Sequence, residues 1–150
     1  MNLDLAGLHE IAAYAAVLFG VVGPVLALLY ATRVERRDFW RVPMLVGATL
    51  TLATTLTSYL IGRRLGDDYS RMLGEPSTWA HLEYADGLLL PAAAFFVIAV
   101  VTGVLNARTG VLKTMLPLLL TGFAVIVLGL TVLSDTGVRA IVDRLLAEFQ

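Results

Sequence analysis

The chain has 150 residues, 58% of them hydrophobic and only 15% charged, with a formal net charge of −1 and no cysteine. A soluble domain carries nearer a quarter charged residues, and the mean hydropathy here is +0.81. The balance excludes a basic nucleic-acid footprint, and the missing cysteines exclude disulfides, thiolate metal sites and cysteine nucleophiles.

Four long apolar runs follow one another. The first span is expected at residues 11–31. No Lys or Arg precedes it, and it is too long for the apolar core of a signal peptide. Arg33, Glu35, Arg36, Arg37, Asp38 and Arg41 then form a short charged loop, with Phe39 and Trp40 as aromatic anchors at the membrane surface. The second span is expected at 43–62, with Pro43 in its first turn, where a missing N–H costs little. Residues 63–86 read as the longest connection, closed by Ser77 or Thr78 as the cap of a third helix. That helix enters the hydrocarbon near Gly87 and spans 87–106, within the stretch from Trp79 to Arg108 around which the chain is organised. About twenty apolar residues suffice to cross a bilayer core of roughly 30 Å. A tight turn from Arg108 to Lys113 leads to the fourth span, 115–134, with Pro117 again in a first turn. After Asp135-Thr136-Gly137, the tail 137–149 has Val138, Ile141, Val142, Leu145, Leu146 and Phe149 at helical spacing, opposite Arg139, Asp143 and Glu148. This is the pattern of an amphipathic helix lying in the interface.

The expected fold is one all-α membrane domain: a four-helix transmembrane bundle of two out–in–out hairpins, with a C-terminal interfacial helix. The loops after spans one and three hold six of the eleven basic residues but only two of the twelve acidic ones. By the positive-inside rule they face the cytoplasm, and both termini lie outside the cytoplasmic (inner) membrane. The succession of His9, span, Arg33, Pro43 and span is echoed by His81, span, Arg108, Pro117 and span. This is a faint internal repeat about an axis along the membrane normal.

The two histidines, His9 and His81, both sit at the outer ends of odd-numbered spans. Two imidazoles on neighbouring helices are the axial ligands a haem b iron takes. Arg63 and Arg64, at the same end, offer guanidinium forks for its propionates. The alternative is that these histidines are interfacial polar residues and the arginines reach to headgroups. The small face below His9 (Ala12, Ala13, Ala16, Gly20, Gly23) leaves room for a flat cofactor or for close approach of another helix. An outer acidic group, Glu10, Asp67, Asp68, Glu83, Asp86 and Asp135, would with the histidines provide ligands for a divalent cation or a proton relay. It lacks a metal-ligand spacing such as Glu-x-x-His. Thr51, Thr54, Thr55 and Ser58 share one face of span two, directed into the bundle or at a partner. Gly122 and Gly129 mark a packing groove on span four. There is no phosphate loop and no Ser/His/Asp set, and no Asp, Glu, Lys or Arg lies within the apolar spans, where carriers bury at least one.

The layout resembles a family of uncharacterised bacterial four-helix membrane proteins, a predicted-membrane domain of unknown function. That family has His at the starts of spans one and three, a Gly-containing end to span two and a polar Gly-containing segment after span four. The matching positions here are His9, His81, Gly62 to Gly66 and Asp135 to Gly137, with LHEIAAY in place of the family's opening His-Pro. In architecture the chain is also similar to the haem b membrane anchors of respiratory enzymes. Two functions are expected from these readings. The first is a non-catalytic accessory subunit, packed with other membrane subunits or with itself in a larger, possibly respiratory complex. The second is a haem b electron carrier. Neither is an enzyme by itself.

Overall fold

Lipid offers the backbone no hydrogen-bond partner, so a long apolar run must satisfy its own N–H and C=O groups, and the α-helix does this within one segment. The computed structural model describes the backbone of residues 5–73, 79–105 and 111–148, and the side chains of 7–65, 87–105 and 111–133. Four α-helices carry the described chain: α1 (Leu5–Thr32), α2 (Arg37–Leu73), α3 (Trp79–Leu105) and α4 (Leu112–Glu148). A single 3-10 turn, Val34–Arg36, joins α1 to α2. All four contain stretches long and apolar enough to cross a membrane: Gly7–Thr32, Val34–Leu65, Gly87–Leu105 and Leu112–Leu133. Each helix packs against the next and α4 returns to α1, so the bundle is a square with α1 and α3 at opposite corners. The two hairpins are alike in build, with helices of 28 and 37 residues in the first and 27 and 37 in the second.

Several boundaries differ from the expectation. α2 begins at Arg37, so Pro43 is the seventh helical residue and Pro117 the sixth of α4, each beyond the first turn. With Pro24 in α1 and Pro91 in α3, every helix holds one internal proline. Each removes one helical N–H and leaves the carbonyl four residues earlier without its usual donor. Membrane helices tolerate this because neighbouring helices supply polar groups. Residues 63–73, expected as part of a connection, extend α2 by about eleven residues, or about 16 Å at 1.5 Å per residue. The polar segment Asp135-Thr136-Gly137 does not break α4, which runs on to Glu148, so the expected separate tail helix is its continuation. α3 starts at Trp79, directly after the expected cap pair, which itself lies outside the described residues, as does the turn at 106–110.

The bundle is filled from all four sides. Each helix gives one fully buried alanine (Ala27, Ala48, Ala99, Ala124) and at least one larger group (Tyr30, Met44, Phe95, Leu120 with Val127) to a common core. Small residues facing large ones let the helices interdigitate at native packing density. The outer surface, by contrast, is covered with Leu, Val and Ile, among them Leu90 at 77% and Leu118 at 67% exposure. An exterior more apolar than the interior has lipid, not water, as its natural solvent.

The tightest seam is between α1 and α2. A Cβ on Gly23 would overlap the Thr51 hydroxyl and lie 2.8 Å from the Gly47 carbonyl oxygen, while one on Gly47 would lie 3.1 Å from the Gly23 Cα. The Thr51 hydroxyl sits 2.7 Å from the Phe19 carbonyl oxygen across the seam and 2.9 Å from that of Gly47 on its own helix. Its one proton serves either acceptor. On α1's other flank, a Cβ on Gly20 would come within 2.5 Å of Thr131 Oγ1 of α4. Gly103 of α3 receives Leu45 of α2 in the same way. The small face below His9 is therefore occupied by helices at Gly20 and Gly23. Gly122 and Gly129, the expected packing groove of span four, both face outward, and nothing lies within 4 Å of a Cβ placed on either.

Two predictions follow from this packing. Gly23→Ala has backbone in its way and must push α1 and α2 apart, so it should cost about 1–3 kcal/mol, read as a lowered thermal midpoint in detergent. Gly122→Ala and Gly129→Ala should leave that midpoint in place. Thr51→Val should cost about 0.6 kcal/mol, the usual worth of an interhelical hydrogen bond in a membrane. The buried hydroxyls of Thr55 and Thr102 have no partner among the described residues, so Thr55→Val and Thr102→Val should be neutral or stabilising on the same assay.

Candidate functional site

The end of the bundle where α1 begins gathers the residues singled out in the sequence. His9 lies in the second turn of α1 and is half-buried. Its imidazole rests on α2 at Gly62: a Cβ there would be 2.8 Å from His9 Cε1 and 3.4 Å from Nδ1. Glycine makes the seat for the ring, because any side chain at 62 would displace it. Gly62 had been read only as the end of a span. Nothing local marks its contact with His9, which depends on the antiparallel register of α1 and α2.

Arg63 and Arg64 follow Gly62 directly and are both exposed. Arg63 Nη1 donates to the Tyr59 hydroxyl oxygen at 3.0 Å, one helical turn back. This leaves Arg63 four other N–H donors. The Arg63 and Arg64 side chains thus emerge from the same end of the bundle as His9, on the helix that cradles it. His81 lies in the first turn of α3, and its side chain is outside the described residues. Helix register fixes its level: Gly62 faces His9 and Leu45 faces Gly103. Counting back along α3 puts the residue level with His9 near position 86, so His81 stands about five residues, or about 7–8 Å, further along the bundle axis.

Among the acidic residues proposed as metal ligands, Glu10 has a described side chain and is exposed. Asp67, Asp68, Glu83, Asp86 and Asp135 fall outside the described side chains. Among the described residues no three of His, Cys, Asp and Glu come together as a metal site.

The hydroxyl face of α2 does turn inward. Thr51 and Thr55 are buried, and Thr54 and Ser58 are partly so. Thr49 and Thr57 turn outward, and their hydroxyls donate to the carbonyls of Leu45 and Ala53 at 2.8 Å. A hydroxyl bonded back to its own helix can face hydrocarbon at little cost. Ala48, Phe95 and Ala99 are fully buried as well, and the Thr51 hydroxyl lies against Gly23 and the Phe19 carbonyl oxygen of α1, so this part of the face packs one helix on the next. No family model, curated protein or solved structure matches the chain.

The contact between His9 and Gly62 can be checked directly. Gly62→Ala should shift the His9 Cε1–Hε1 resonance in a spectrum of the detergent-solubilised protein, with less than about 1 kcal/mol of destabilisation, since what must give way is the end of a side chain and not backbone. Gly87→Ala, which opens into empty space, should leave that resonance unmoved.

Proposed function

We propose that this protein is a non-catalytic integral membrane subunit that packs, as an accessory or structural component, within a larger membrane complex such as a respiratory one. The observation that carries the reading is the outward face of α4. Gly122 and Gly129, seven residues apart, lie open between exposed Leu118, Val125, Ile126 and Val132. Where small residues leave the backbone bare, another transmembrane helix can approach closely, and van der Waals contact drives association in lipid. Gly20, Gly23, Gly47, Gly62 and Gly103, by contrast, are already in contact inside the bundle. The interior supports the same reading. It is filled with alanine, aliphatic, aromatic and hydroxyl groups, and residues 11–31, 43–62, 87–106 and 115–134 carry no Asp, Glu, Lys or Arg with which to move a proton or ion.

We further propose that the 3-10 turn faces the cytoplasm, in keeping with the arginines beside it, and that the end bearing His9 faces outward from the inner membrane.

A second reading rests on the seat that Gly62 makes for His9. A half-buried imidazole held in place, with Arg63 and Arg64 beside it, is how one axial ligand and the propionate partners of a haem b would be arranged. His81 would supply the other ligand from α3, and the group would bring one-electron transfer chemistry to this end of the bundle.

Extracted in mild detergent, the protein should migrate with a larger assembly. Gly122→Leu with Gly129→Leu should release it while its own thermal midpoint stays unchanged. A stable, solitary monomer from native membranes counts against the subunit role, and a homo-oligomer would show the partner to be a second copy. For the second reading, protein expressed with ample haem should show a Soret band that His81→Ala abolishes; a spectrum without that band ends it.

A further inference from the structure

The turn between α1 and α2 is not used by the subunit role or the haem reading. Within nine residues it carries Arg33, Arg36, Arg37 and Arg41 against Glu35 and Asp38, a net charge of +2. α1 ends at Thr32 and α2 starts at Arg37, so only one 3-10 turn separates two membrane-spanning stretches. The guanidinium groups are thereby confined to a rim immediately beside the hydrocarbon. Lys113, exposed at the start of α4, adds charge at the same end.

The fold holds one of these groups in place. Arg37 Nη2 donates to the Ala31 carbonyl oxygen at 3.4 Å, near the end of α1, where helical carbonyls lack partners. Its guanidinium carbon lies 5.7 Å from the centroid of the buried Tyr30 ring, within the range of a cation–π contact. The Nε of the same group is buried and has no acceptor among the described residues. The side chain as a whole is only half-buried, so an anionic oxygen meets this guanidinium at its Nη groups, where a charge-assisted hydrogen bond is strong. Beside it, Phe39 and Trp40 form an edge-to-face pair with centroids 5.0 Å apart. Phe39 is 68% exposed, a position suited to the headgroup boundary.

We propose that this turn binds the phosphate of an anionic phospholipid, with Arg37 as the preformed anchor and Arg33, Arg36 and Arg41 as the surrounding charge. The recognised chemistry is a phosphate anion. Its source is a lipid headgroup because the arginines lie at that depth, between two apolar spans, and Phe39 and Trp40 stand where acyl chains begin. A guanidinium fork matches two phosphate oxygens in a way that a zwitterionic headgroup's own ammonium opposes.

The test uses Trp40 as reporter. The chain has two tryptophans, and Trp79 starts α3 at the other end of the bundle, so Trp79→Phe leaves a single fluorophore at the proposed site. The full chain is reconstituted in phosphatidylcholine vesicles containing either dibrominated phosphatidylglycerol or dibrominated phosphatidylcholine. Half-quenching of Trp40 should need several-fold less of the anionic lipid. Arg33→Gln with Arg36→Gln, both exposed positions that need not disturb folding, should abolish that several-fold preference, because about 1 kcal/mol for each basic residue near an anionic surface comes to about thirtyfold for the pair. Arg37→Lys, which keeps the charge but loses the fork, should weaken it as well. Equal quenching by the two lipids, or a preference that survives the double substitution, overturns the proposal. Loss of the preference in 50 mM inorganic phosphate, but not in chloride of matched ionic strength, also overturns it, by showing a site for free phosphate instead.

Discussion

The structure depends on the closeness of two backbones. In lipid, no hydrophobic force pulls helices together, because the acyl chains are as apolar as the side chains they would replace. What remains is contact between atoms and the few hydrogen bonds that can form across a seam. Gly23 and Gly47 let α1 and α2 approach until the Gly47 carbonyl would meet a Cβ at 2.8 Å. Only at such a separation can the Thr51 hydroxyl reach the Phe19 carbonyl oxygen of the facing helix at 2.7 Å. The rest of the α1–α2 register follows from that crossing, including the seat of His9 on Gly62. α4 then closes on α1 through Thr131 against Gly20, and α3 on α2 through Leu45 against Gly103.

This arrangement divides the side chains by size as well as by polarity. Alanine, glycine and threonine hold the interior, with one or two large groups per helix to fill it. Valine, leucine and isoleucine go outward. The threonines suit this solvent because most bond back to their own helix: Thr32, Thr54, Thr57, Thr121 and Thr131 each donate to the carbonyl four residues earlier at 2.7–2.8 Å. Polar atoms are thus carried through the membrane without exposing an unmet donor, and the bundle needs no buried charge to hold together.

Much of this was legible in the residues. Apolar length alone located all four helices, since lipid permits little else. The inward turn of Thr51 and Thr55 followed from their spacing. Boundaries are less legible where a polar segment suggests a helix end. Residues 63–73 and Asp135-Thr136-Gly137 are polar, yet helical, because an α-helix leaving the bilayer loses its apolar solvent and not its hydrogen bonds. Pro43 and Pro117 misled for a related reason: proline is easiest in a first turn, but a helix in a bundle can carry one deeper. The contacts of single glycines were beyond the sequence. Gly47, Gly62 and Gly103 are seats for groups on other helices, whereas Gly122 and Gly129 face outward, and nothing in their immediate neighbours distinguishes the two sets. Only the register between helices sorts them.

The shortness of the link between α1 and α2 has a consequence for biogenesis. With one 3-10 turn between them, the two helices cannot enter the bilayer as independent travellers. As α2 emerges from the ribosome, its glycine seam is already tethered opposite that of α1, at a high effective concentration set by the tether. The first hairpin can therefore close as a unit before α3 and α4 have been translated. The later pair then docks on a finished template, α4 finding Gly20 and α3 offering Gly103 to Leu45.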